Sequence, residues 1–144
     1  MNSYLRFQVG EGHFLIELAA VHRILPFENV MKVPLAPRFV EGVLNLGGEV
    51  VPVINLRARF SLPSPSNGAR RRVIVAGWTG GRCGLLVDKV REIVELDQNS
   101  IEPASSLIPG LKAEVLEGVA RAADALLFVL DAQRLLAAQG SEPQ

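Results

Sequence analysis

The chain has 144 residues, 49% hydrophobic and 21% charged, with 15 Lys and Arg balancing 15 Asp and Glu. It is too apolar for a disordered chain and too neutral for a nucleic-acid binder that must neutralise phosphates, and its length suits one compact unit or two very small ones. A lone cysteine, Cys83, excludes an internal disulfide, two histidines make no closed zinc site, and no apolar run reaches the ~18–20 residues that cross a bilayer.

Met1–Gly10 holds one Arg and no apolar block, unlike a secretory signal, so the expected location is the cytoplasm. Tyr4–Val9 alternates, with Leu5, Phe7 and Val9 on one face and Tyr4, Arg6 and Gln8 on the other, which predicts a half-buried strand. Gly10-Glu11-Gly12 reads as a tight turn and His13–Leu18 as the returning strand. Ala19–Arg23 reads as one helical turn, ended by Leu25-Pro26. Asn55 is a candidate N-cap for a short helix over 56–60. Leu62–Gly68, rich in Pro and Ser, is the expected linker. Val73–Trp78, a Thr79-Gly80-Gly81 turn and Arg82–Asp88 form a second hairpin pattern. Asp131 heads a predicted helix over 132–138, ended by Gly140, with Ser141–Gln144 as a frayed tail.

These elements repeat. A shift of 69 residues lays Leu5 on Ile74, Gly12 on Gly81, Val21 on Val90 and Ile24 on Ile93. A shift of 76 lays Glu41-Gly42-Val43 on Glu117-Gly118-Val119 and Val53-Ile54-Asn55 on Val129-Leu130-Asp131. The second copy is about seven residues longer, an excess assigned to Gln98–Lys112. The fold expected is all-β: two five-stranded barrels, near 4–62 and 70–138, packed together in one domain, with strands free to cross between them.

Several segments together carry a family resemblance. They are Phe7-Gln8-Val9-Gly10, Val21-x-x-Ile24, Val33-Pro34-x-x-Pro37, Gly42-Val43-Leu44-Asn45-Leu46-x-Gly48, Val51–Arg57 and Gly84-Leu85-Leu86-Val87-Asp88-Lys89-Val90. In that order they resemble the CheW-like coupling proteins of bacterial chemotaxis, over Tyr4–Leu136. The resemblance implies SH3-like barrels and a scaffold that is not an enzyme and carries no cofactor. It implies two partners, the cytoplasmic tip helices of chemoreceptors and the regulatory domain of a CheA-type histidine kinase. It implies a place in membrane-associated arrays without membrane insertion or nucleic acid. At 144 residues there is no room for the kinase domain of CheA or the receiver of CheV, so a stand-alone coupling protein is the type implied.

The partner-binding residues expected from this resemblance are Val21, Arg23, Glu41, Gly42, Asn45, Leu46, Gly47, Gly48, Pro52, Gly84 and Val90. Val21 and Val90 are expected to be half-exposed in a groove between the barrels, and Ile24 and Ile93 to be core. Pro52 cannot donate to a ladder, which predicts an edge or a bulge. Asn45–Gly48 is the expected partner-facing loop, and there Gly47 stands where the family has Arg; this removes one anchoring guanidinium. Arg23 and Glu41 stand where the family has the opposite charges, which predicts a swapped pair. The alternative function is a divergent scaffold that binds receptors and not kinase. Asp88 is expected to cap a turn, His13 and His22 to be surface or satisfied residues, Cys83 to be a buried apolar side chain, and Arg70–Arg72 to be a solvated face. Trp78 reads equally as a barrel lid or an interface anchor.

Overall fold

The computed structural model of the protein describes residues 1–62, 70–104 and 114–135. The linker after Leu62 up to Gly68, the 105–112 part of the longer second repeat, the helix beyond Leu135, Gly140 and the tail lie outside the described residues. Ten strands follow in order: β1 (Asn2–Val9), β2 (Gly12–Glu17), β3 (Val21–Pro26), β4 (Val40–Leu46), β5 (Glu49–Asn55), β6 (Arg72–Trp78), β7 (Gly81–Val87), β8 (Lys89–Leu96), β9 (Leu116–Arg121) and β10 (Leu126–Leu130). The short helix α1 (Leu56–Arg59) starts where expected, with the Asn55 side chain accepting from the Ala58 amide. Asp131 does the same for the amide of Arg134 at the helical turn that begins at Ala132.

The class is all-β, in two five-stranded sheets ordered β8-β1-β2-β10-β9 and β3-β6-β7-β5-β4. The sheets are not the sequence repeats. Each takes its central hairpin from one repeat and three strands from the other, because the chain leaves β2 through Leu18–Ala20 and leaves β7 through Asp88 directly into the opposite sheet. Each sheet curls around a small core of its own. Tyr4, Leu15, Ala120, Leu127 and Val129 fill the first, and Leu44, Val53, Val73, Val75 and Leu86 fill the second. The curling is SH3-like, but no ladder closes either ring among the described residues. The outer edges of β4 and β9 are covered instead by crossing segments. Met31 exchanges both backbone hydrogen bonds with Val43 (2.9 and 2.8 Å), and Glu102 does so with Val119 (2.9 and 2.7 Å). This explains the repeated glycines, since a Cβ at Gly42 or Gly118 would run into the carbonyl oxygen of Met31 or Glu102.

Between the sheets lies a third, shared core. It takes Leu5, Phe7 and Val9 of β1, Ile74 and Ala76 of β6, Cys83, Leu85 and Val87 of β7, and Leu135. Phe14 stacks on Phe7 at 5.7 Å and on Phe60 at 5.2 Å at its margin. β1 is therefore buried on both faces from Tyr4 to Phe7 and not half-buried as its alternation predicts. Both faces of β6 are likewise covered. Each fully buried Leu, Ile or Phe contributes about 1.5–3 kcal/mol relative to exposure, so this seam holds the sheets together.

Candidate partner-binding site

A strand turns successive side chains to opposite faces, so a Val-x-x-Ile spacing should split its two apolar residues between faces. Both copies avoid this with a bulge. Across β3–β6, Val21 lies opposite Ala76 and Ile24 opposite Ile74, with the register shifted between Val21 and Arg23. Across β1–β8, Val90 lies opposite Phe7 and Ile93 opposite Leu5, with the shift between Leu5 and Phe7. The facing residues Ala76, Ile74, Phe7 and Leu5 all belong to the shared core. A bulge adds one residue and re-aims the strand, and here it puts both members of each pair on the seam face. The predicted helical turn is correspondingly only Leu18–Ala20, and Val21 already begins β3.

β3 and β8 are edge strands, so this face runs out to solvent there. Val21 and Val90 are half-buried against the shared core. Ile24 and Ile93 are 44% and 55% exposed, which overturns their reading as core. Repeat-related valines rooted in the seam thus carry repeat-related isoleucines in solvent. Both isoleucines therefore sit in solvent on edge strands, where exposed apolar side chains are normally kept few.

The second region is the β4–β5 hairpin. Gly47 and Gly48 form its two-residue tip at φ +60 and +94, the left-handed pair that matches strand twist, and the Gly48 amide donates to Asn45 Oδ1 at 2.9 Å. A Cβ at either glycine would meet nothing, so the tip is bare backbone facing solvent. Leu46 is half-buried beside it and Val50 is exposed. Right beside the tip, where Leu46 faces Glu49, Arg82 pairs with Glu49.

Other expected site residues are placed differently. Arg23 and Glu41 do not pair, because β3 and β4 are opposite edges of the same sheet. Glu41 accepts instead from Asn55 Nδ2 at 3.0 Å, and Arg23 is exposed. Pro52 is neither on an edge strand nor at a bulge. β5 lies between β4 and β7, but its parallel ladder with β7 begins at Val53, which leaves the Pro52 nitrogen unneeded. Gly42 and Gly84 are buried and present no surface: Gly42 lies under the Met31 crossing, and Gly84 lets Val73 and Val53 meet over it. Trp78 packs on the shared core beside its own turn.

Sequence reasoning missed two polar clusters. Arg6 is buried, and its guanidinium meets Glu92 at 3.2 Å, Asp124 at 3.0 Å and His13 Nδ1 at 2.9 Å. Arginine only donates, so Nδ1 of His13 is the acceptor in this contact. The Arg6 hydrogen bond is the largest of the effects that hold the Asp124 carboxyl below its ordinary range. An arginine inside an apolar strand was the available signal, but its partners are distant in sequence. The other cluster is centred on Asp88. Its carboxylate takes the Gly10 amide at 2.5 Å and Arg57 at 2.8 and 3.0 Å, more than the turn cap expected. Gly10 belongs to one sheet's hairpin and Arg57 to the other sheet's helix, so Asp88 pins the crossover. Burial pushes the Cys83 thiol up to about 12, in keeping with a buried apolar side chain. Arg71 lies over the Phe27 ring at 4.7 Å.

Among the described residues no three His, Cys, Asp or Glu side chains converge as a metal site, and no helix is long and apolar enough to cross a membrane. Two exposed surfaces stand out among the described residues, the bulged edges of the seam and the bare hairpin tip.

The profile of the CheW-like domain matches residues 3–140. The chain is 28% identical over 137 residues to a chemotaxis protein CheW of Treponema pallidum, covering 92% of this chain and 81% of that one. It is 29% identical over 136 residues to a chemotaxis protein CheW of Klebsiella aerogenes, covering 94% and 82%. The crystal structure of the scaffolding protein TtCheW from Thermoanaerobacter tengcongensis superposes with a TM-score of 0.80 at 29% identity, covering 90% of this chain and 88% of that one.

Proposed function

Since the chain belongs to the CheW-like family, whose members are non-enzymatic scaffolds of chemotaxis, we propose that it couples chemoreceptors to a CheA-type histidine kinase. The receptor contribution is an α-helix of the cytoplasmic tip, laid against the seam face. The kinase contribution is its regulatory domain, met at the β4–β5 hairpin. The complex works by adhesion, at the cytoplasmic face of a receptor array.

One observation carries this reading: two bulged edge strands each hold a half-buried valine packed against the shared core and an isoleucine in solvent on the same face. A helix laid in a groove is a recurring recognition mode and needs such an apolar strip. The hairpin tip, with φ > 0 at both glycines and no side chain, allows a partner's backbone to approach closely.

The test is co-purification from the protein's own cells, scored for receptor and kinase together. Native protein should recover both. Ile24→Asp with Ile93→Asp should lose the receptor while the circular dichroism spectrum stays native, because neither side chain is in a core. Retention of receptor by that double variant would refute the seam assignment. Recovery of receptor without kinase would refute the kinase half and leave a receptor-only scaffold.

A further inference from the structure

Leu35 is a large apolar side chain that is fully exposed, and its φ is +67. Both facts oppose a leucine. Solvent gives its isobutyl group nothing, and the left-handed region costs a residue with a Cβ about 1–2 kcal/mol, whereas Asn or Gly would sit there easily. The backbone around it is unusually fixed. Pro34 and Pro37 lock their own φ and disfavour a helical conformation at Val33 and Ala36 before them, while the Val40 amide donates to the Pro37 carbonyl at 3.0 Å. A strained residue held in place by rigid surroundings is a mark of function, and a rigid presented side chain loses little entropy on binding.

The surroundings say what would receive it. Met31 and Val33, both exposed, continue the apolar row along the segment that crosses β4. Lys32 and Arg38 flank the row, exposed, and neither meets a carboxylate among the described residues. A hollow of about 320 Å³, with Glu28, Met31, Leu44, Asn45 and Leu46 in its lining, joins the start of this segment at Met31 to the β4–β5 hairpin. The row is therefore continuous with the surface assigned to the kinase. Gly47 and Gly48 offer no side chain of their own at that tip.

We propose that Leu35 is a preformed anchor that inserts into an apolar, acid-rimmed pocket on the kinase regulatory domain, with Lys32 and Arg38 facing the acidic rim. This rests on the kinase-coupling reading above. It gives the family's missing guanidinium at Gly47 a hydrophobic replacement one loop away.

The experiment measures binding of the full chain to the regulatory domain of the CheA-type kinase from the same cells, by calorimetry, alongside thermal melting. Leu35→Asn should raise the melting temperature by about 3 °C, since Asn tolerates the left-handed region, and weaken binding at least tenfold. Leu35→Met should keep affinity within about twofold, consistent with a volume-conserving apolar swap. Lys32→Glu with Arg38→Glu should weaken binding severalfold at low salt and less at high salt. Unchanged affinity in Leu35→Asn would overturn the anchor while leaving kinase coupling intact, and affinity indifferent to the charge reversals would overturn the acidic rim. Absence of binding by the native chain would overturn both the anchor and the kinase reading.

Discussion

Replacing Asp88 tests how the two sheets are joined. Its carboxylate accepts from the Gly10 amide at 2.5 Å and from Arg57 at 2.8 and 3.0 Å, and both charged side chains are only 17% exposed. Asp88→Ala removes the acceptor from a backbone amide and the counter-charge from a mostly buried guanidinium. Hydrogen bonds to charged groups contribute about 1.5–3 kcal/mol, and breaking a fully buried pair costs about 3–5 kcal/mol. The remaining solvent access lowers this, so the expected loss is about 2–3 kcal/mol. For a domain of this size that is a fall of roughly 6–10 °C in melting temperature. Asp88→Asn keeps an oxygen for Gly10 and should lose about half as much. Urea unfolding followed by circular dichroism should show a lower midpoint at unchanged slope. A double-mutant cycle with Arg57→Ala should return a coupling of about 1 kcal/mol or more. A loss under about 0.5 kcal/mol, or no coupling, would refute the claim that this residue pins the crossover.

Three further outcomes follow from the same structure. Gly42→Ala drives a Cβ into the Met31 carbonyl and should cost about 2–3 kcal/mol by urea unfolding, whereas Gly47→Ala, with open space around it, should cost only the left-handed penalty of about 1–2 kcal/mol. The Asp124 carboxyl, held low chiefly by Arg6, contributes stability that is complete above its unfolded value near ~3.9 and is lost as pH falls through its lower folded value. The gap in melting temperature between native protein and Asp124→Asn should accordingly close below about pH 4; a gap that widens there would contradict the sign. Cys83, with its thiol pushed up to about 12, should resist a disulfide reagent at pH 8 until denaturant is added, and rapid labelling in native buffer would contradict its burial.

Local features were legible in the sequence because local rules govern them. The hairpins, the Asn55 and Asp131 caps and the tandem repeat depend on neighbours a few residues apart, and each formed where the pattern put it. The Val-x-x-Ile segments show the limit of such rules. A spacing of three fits a helical turn, and only pairing with β1 and β6 introduces the bulges that let a strand carry it. The same holds for charge. Arg23 and Glu41 were matched by sign alone, but strand order sets them at opposite edges, while Arg6 reaches Glu92 and Asp124 that no local pattern links to it. Glycine was ambiguous for a related reason. Gly42 and Gly84 are expected as partner-binding residues and are buried spacers under crossing or facing chain. Leu35 was passed over inside its proline motif, because nothing in the letters reveals its backbone angle.

The exchange of hairpins between sheets makes folding a single cooperative event. Cutting the chain between residues 62 and 70 would leave two fragments, each owning two strands of one sheet and three of the other, and neither could complete a sheet by itself. Mixed together they should complement and regenerate the native spectrum, while each alone stays unfolded. Unfolding that begins beneath the surface assigned to one partner would then take the other surface with it, because no half can melt and spare its neighbour.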